Sequence, residues 1–123
     1  MRTGIVVFAH GSSVEPANEA IRTVTAEMAR KGGYDLAVAA FLDIGKPDLL
    51  EAVGRLAAAG ASRIVVIPYF LAAGTHLQRD LPRLVQGVAE VHPGVEIVVT
   101  EPLDGHPALP EILLDRARAA LER

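Results

Sequence analysis

Four short apolar runs rich in β-branched residues constrain this chain more than any other feature: TGIVVFA (3–9), YDLAVAAF (34–41), RIVVIPYF (63–70) and VEIVVTE (95–101). Their cores IVV and IVVI are continuously apolar, the pattern of parallel strands covered on both faces. Between them stand helical patterns over 15–31, 47–59, 77–91 and 108–122. Pro16 suits a first helical turn after Ser12 or Ser13, and Gly32-Gly33 ends that helix. Pro47 and Asp48 open the second, Gly60 closes it, and His92-Pro93-Gly94 turns the chain after the third. Pro107 or Pro110 starts the last, which carries Leu113, Leu114, Ala117 and Leu121 on one face. Strands alternating with helices predict an α/β fold of three layers, with helices on both faces of a four-stranded parallel sheet. The expected strand order is 2-1-3-4, a truncated flavodoxin-like sheet, and residues 1–123 read as one domain.

Composition narrows the function classes. Half of the residues are apolar and 22% are charged, a globular balance. The formal net charge is −3, with no basic tract and no aromatic–basic interleaving, which argues against nucleic acid as a partner. The longest apolar runs fall short of the ~20 residues a membrane helix needs. The run near the N-terminus is too short for a secretory signal, so no membrane partner and a cytoplasmic location are expected. Cysteine is absent, which excludes disulfides, thiolate metal sites and a thiol nucleophile. Any metal must meet histidine, carboxylate or the substrate itself.

Ligands of open parallel sheets bind beyond the carboxyl ends of the strands, where the strand order reverses. With order 2-1-3-4 that point lies between the first and third strands. The loop after the first strand holds His10, Gly11, Ser12 and Ser13. The loop after the third, PYFLAAGTHLQRDLP, holds Gly74, Thr75 and His76, and the loop after the second, FLDIGKP, holds Asp43. Two imidazoles and a carboxylate converging from three loops suit a divalent-metal or proton-transfer site.

Taken singly, each residue has a plainer use. A histidine at a strand end is usually a cap or a hydrogen-bonded loop residue, and a lone Asp43 is more often solvated. Ser12, Ser13 and Thr75 read as helix N-caps rather than nucleophiles, because no G-x-S-x-G elbow surrounds them. His92 lies at the opposite end of the sheet, and His106, in PLDGHP, reads as structural. Arg79 and Arg83 form a solvated face. HGSS lacks both phosphate-loop spacings. The third strand ends in Pro68-Tyr69-Phe70 where a receiver domain needs an aspartate, and Ala9 stands where a histidine phosphatase needs arginine.

Three segments, VVFAHGSS, AFLDIGKPDLLEAV and VIPYFLAAGTHLQRDLP, together with EPLDGHP, resemble the class II tetrapyrrole chelatases, in the short sirohydrochlorin cobaltochelatase or ferrochelatase type. The resemblance covers nearly the whole chain. It implies a chelatase-like half with a chelatase (lyase) activity that inserts Co2+ or Fe2+ into sirohydrochlorin, an acidic tetrapyrrole on the way to cobalamin or sirohaem. ATP and a tightly bound cofactor are not needed; the divalent metal is a substrate. The family's two active-site histidines match His10 and His76. Asp43 stands where the family often has Glu, one methylene longer. The resemblance also implies a homodimer whose macrocycle pocket lies close to the subunit interface.

Metal insertion requires two pyrrole N–H protons to leave while the ion sheds water. Neutral imidazole binds borderline ions such as Co2+, Fe2+ and Ni2+, and it titrates near working pH. His10 and His76 are therefore expected to hold the metal and remove protons, with Asp43 assisting. Gly11, Ser12, Gly74 and Thr75, at two helix N-termini, and Arg79 are candidate contacts for the tetrapyrrole and its carboxylates. Lys46 is a further countercharge, and PYFLAA a greasy wall. The alternative is a non-catalytic tetrapyrrole or metal carrier on the same fold; a regulatory α/β module with structural histidines is the third reading.

Overall fold

The computed structural model describes residues 2–72 and 74–122, and of Thr75 and His76 the backbone alone. The elements follow the expected order: β1 (Arg2–Gly11), α1 (Glu15–Gly32), β2 (Leu36–Ile44), α2 (Leu49–Ala58), β3 (Ala61–Pro68), α3 (Thr75–Val91), β4 (Glu96–Val99) and α4 (Ala108–Leu121). The strands form one parallel sheet in the order β2-β1-β3-β4. The expected three-layer arrangement and the reversal of strand order between β1 and β3 both hold.

The main core lies where α2 and α3 cover the sheet. Val6 and Phe8 of β1 and Ile64 and Val66 of β3 meet Leu49, Val53 and Leu56 of α2 and Val88 of α3, all buried. Phe70 packs edge-on against Phe8, with ring centroids 6.4 Å apart, so it belongs to this core. On the other face Ala9, Ala39 and Phe41 form a smaller cluster with Ile21 and Tyr69. Central β1 is buried on both faces from Gly4 to Ala9, which is why its sequence is continuously apolar rather than alternating.

Element ends differ from the sequence pattern for local reasons. α2 begins one residue beyond Asp48, whose carboxylate accepts a hydrogen bond from the Glu51 N–H at 2.9 Å, while Pro47 lies outside the helix. The cap of α1 is Val14, not Ser12 or Ser13; the Ser12 hydroxyl instead accepts from the Val14 N–H at 3.0 Å. Thr75 is the first helical residue of α3, and Gly74 takes the cap position. β4 is short, and β2 runs on through Asp43 to Ile44.

α4 stands apart. None of its described residues is buried; Ile112, Leu113, Leu114 and Leu121 are all exposed, Leu121 at 84%. Val98 and Val99 of β4 are exposed as well. No described helix is long and apolar enough to cross a membrane.

Candidate functional site

His10 ends the buried run of β1 and is itself exposed. Its Nδ1 lies 3.3 Å from the carbonyl oxygen of Gly11. In the tautomer with a proton on Nδ1 the ring donates there, and the Nε2 lone pair faces no competing donor from that bond.

Asp43 is not in the loop after β2, as its place in FLDIGKP suggested; it lies on the strand. The β1–β2 register pairs Ala9 with Phe41 and Gly11 with Ile44, so His10 alone stands opposite both Leu42 and Asp43. This irregularity is a bulge on β2, of the kind that re-aims side chains at a sheet rim. It depends on Gly11, whose φ is +95°. The result is that Asp43 and His10 share one strand end, and both are exposed.

β3 leaves the sheet beside this point. Phe8 pairs with Pro68, and the Tyr69 N–H donates to the Phe8 carbonyl at 2.7 Å. The chain then re-enters helix at Thr75, and His76 is the second residue of α3. Its backbone is therefore at the carboxyl edge, across the β1–β3 junction from His10. The side chains of Thr75 and His76, and with them the expected meeting of two imidazoles, lie outside the described residues. Among the described residues no three His, Asp or Glu side chains gather in a way that could hold a metal ion.

The remaining candidates separate clearly. Gly11 and Ser12 form the turn below His10; Gly74 and Arg79 are exposed around the start of α3. Lys46 is paired with Glu51 at 3.0 Å, and that bond holds its pKa above the ordinary lysine value. His106 accepts the Ala108 N–H on its Nδ1 at 3.0 Å, at the head of α4, the structural role expected of it. His92 caps the far end of α3.

Several residues at this edge gave no signal as site residues. Asn18, 2% exposed in the first turn of α1, binds the Ser12 peptide. An asparagine inside a helix, where it is a poor former, was the only clue. Val14, Leu42 and Ile44 are apolar and exposed on the loop and strand end around His10. Of the expected greasy wall PYFLAA, Leu71 is exposed while Phe70 is core. Arg22 lies behind the turn, bonded to Glu15 and Glu19, donating to the Lys46 carbonyl at 3.3 Å and 5.3 Å from the Phe41 ring centroid. Hydrogen bonds from Arg22 and then Asn18 hold the Glu15 carboxyl below its ordinary value.

A family model described as CbiX matches residues 4–120. The sirohydrochlorin cobaltochelatase of Methanothermobacter thermautotrophicus is 31% identical over 135 residues, covering 98% of this chain and 94% of the relative. The chloroplastic sirohydrochlorin ferrochelatase of Arabidopsis thaliana is 30% identical over 118 residues, covering 96% of this chain and 52% of the relative. A crystal structure of a cobalamin (vitamin B12) biosynthesis CbiX protein from Marinobacter aquaeolei VT8 superposes with a TM-score of 0.87 at 30% identity, covering 98% of each chain. The sheet order, the histidine turn at its reversal point and a family match over all but the chain ends agree: the chain belongs to the CbiX family of class II chelatases, in its short form.

Proposed function

We propose that this chain is a metal chelatase that inserts a divalent ion, Co2+ or Fe2+, into sirohydrochlorin without ATP or a resident cofactor. The observation that carries the reading is the exposed His10 at the bulge shared with Asp43, on the edge where α3 begins and His76 is its second residue, in a chain of this family.

The chemistry assigned to these residues is exchange. Two pyrrole N–H bonds break, two metal–nitrogen bonds form in their place, and two protons leave; two further ring nitrogens donate lone pairs. His10 and His76 bind the incoming ion and accept protons, and Asp43 orients an imidazole or a metal-bound water. A donor site must hold its ion weakly, because each protein ligand is surrendered to the macrocycle. A histidine pair with one assisting carboxylate meets that need better than a closed four-ligand cage. Gly11, Ser12, Gly74, Thr75 and Arg79 take the substrate's carboxylates; the Ser12 N–H is held by Asn18, so the backbone N–H groups that share the work are those at the start of α3. Val14, Leu42, Ile44 and Leu71 offer the flat apolar faces of the pigment a surface that is otherwise unfavourably wet.

The reading takes residues 1–123 as one chelatase-like domain acting in the cytoplasm, as a homodimer. The support for a second copy is α4 with β4. A helix with Ile112, Leu113, Leu114 and Leu121 all exposed is an apolar surface that soluble monomers seldom leave uncovered, and the edge strand β4 exposes Val98 and Val99 besides.

The deciding experiment is an optical assay of purified protein with sirohydrochlorin and Co2+, Fe2+ or Ni2+ in turn. Insertion faster than with metal and pigment alone is expected, and the ranking of the three ions names the preferred one. Binding of pigment or metal without acceleration would leave a carrier instead.

A further inference from the structure

We propose that Asn18 is a positioning residue for His10, holding the turn that aims the imidazole. The inference deepens the chelatase reading and rests on it.

One carboxamide takes both ends of one residue's backbone. The Ser12 N–H donates to Asn18 Oδ1 at 2.9 Å, and Asn18 Nδ2 donates to the Ser12 carbonyl at 2.9 Å. Ser12 is two residues beyond His10, and between them stands only Gly11, whose positive φ gives the turn its direction. The freedom that glycine brings at Gly11 has to be removed by something, and the two-point grip on Ser12 does so from a rigid helix. Asn18 is buried at 2% exposed, which shields its end of these bonds from water.

Helix capping does not account for it. The cap of α1 is Val14, with no side-chain bond, and Asn18 spends its donor and acceptor six residues back instead. The same carboxamide also touches the turn that follows Asp43. A Cβ on Gly45 would lie 3.0 Å from Asn18 Nδ2 and 3.2 Å from the Phe41 ring, so glycine there lets the β2–α2 turn lie against Asn18. Nδ2 further approaches Glu15 Oε2 at 3.4 Å. One buried side chain thus sits between the turns that follow the strand ends of His10 and Asp43.

The test is a double-mutant cycle on the full chain with sirohydrochlorin and Co2+. Asn18→Ala is expected to lower kcat by about thirtyfold with KM changed less than about threefold, the signature of a misaimed group. In a His10→Ala background the same change should cost less than about twofold, because its target is gone. Equal losses in both backgrounds, or a kcat within twofold of the parent, would overturn the proposal. Should Asn18→Ala fail to fold, Asn18→Asp carries the test: it keeps the acceptor for the Ser12 N–H and sets an acceptor against the Ser12 carbonyl. Its expected kcat loss is about tenfold, again absent without His10. Amide exchange at Ser12 and Co2+ binding by difference absorption are read on the same proteins. If the parent protein inserts no metal, the chelatase reading fails; Asn18 then stands only if its substitution releases Ser12 and weakens His10-dependent Co2+ binding, and falls if neither moves.

Discussion

A Cβ on Gly11 would lie 1.9 Å from the carbonyl oxygen of Ile44. The two strands close on each other here because Gly11 pairs with Ile44 after the bulge has absorbed one residue of β2. Gly11→Ala must therefore push β2 away and adopt a φ of +95° that alanine resists. We expect a loss of about 2–4 kcal/mol in stability by urea denaturation, with insertion activity falling further than stability. Unchanged stability would mean that the strand ends separate freely.

His10→Ala removes a side chain with little packing role, since the ring is exposed and its contact is with its own neighbour, Gly11. The melting transition should move by no more than the equivalent of ~0.5 kcal/mol. Insertion should fall by about a hundredfold or more, and His76→Ala should do the same. Full activity in both variants removes the assignment.

In the proposed reaction Asp43 assists the histidines, so Asp43→Ala is expected to cost about tenfold in kcat, less than either histidine. Asp43→Glu should restore the parental rate, because a longer carboxylate on the exposed end of β2 has room to reach the same partners. A loss on Asp43→Glu as deep as that on His10→Ala would make Asp43 a primary ligand.

Leu113 and Leu121 are 71% and 84% exposed on α4. If a second copy covers them, Leu113→Glu with Leu121→Glu should shift sedimentation from dimer to monomer. Each buried leucine contributes about 1.5–3 kcal/mol at such an interface, so the dimer constant should weaken at least tenfold. A dimer that survives the pair of changes places the interface elsewhere.

The candidate site was half legible in residue order. His10 is visible because it interrupts an apolar run at a strand's end, beside a glycine that turns the chain. Asp43 reads as a loop residue in the sequence, because nothing in FLDIGKP shows that β2 continues to Ile44. Ser12 looked like a helix cap, and its peptide is in fact what Asn18 holds. The exposed apolar rim of Val14, Leu42, Ile44 and Leu71 has the same letters as core residues, and letters do not say which side of a sheet's edge they face.

The order of elements, the parallel sheet and the edge at which His10 and the start of α3 lie were determined by sequence alone. Those features follow from patterns within about twenty residues, namely β-branched runs, helical periodicity, and proline and glycine at element ends. The bulge opposite His10, the grip of Asn18 and the uncovered face of α4 were decided only in three dimensions. Each is a relation between segments distant in the chain, set by strand register and by which surfaces find a partner, and a local pattern carries no record of either.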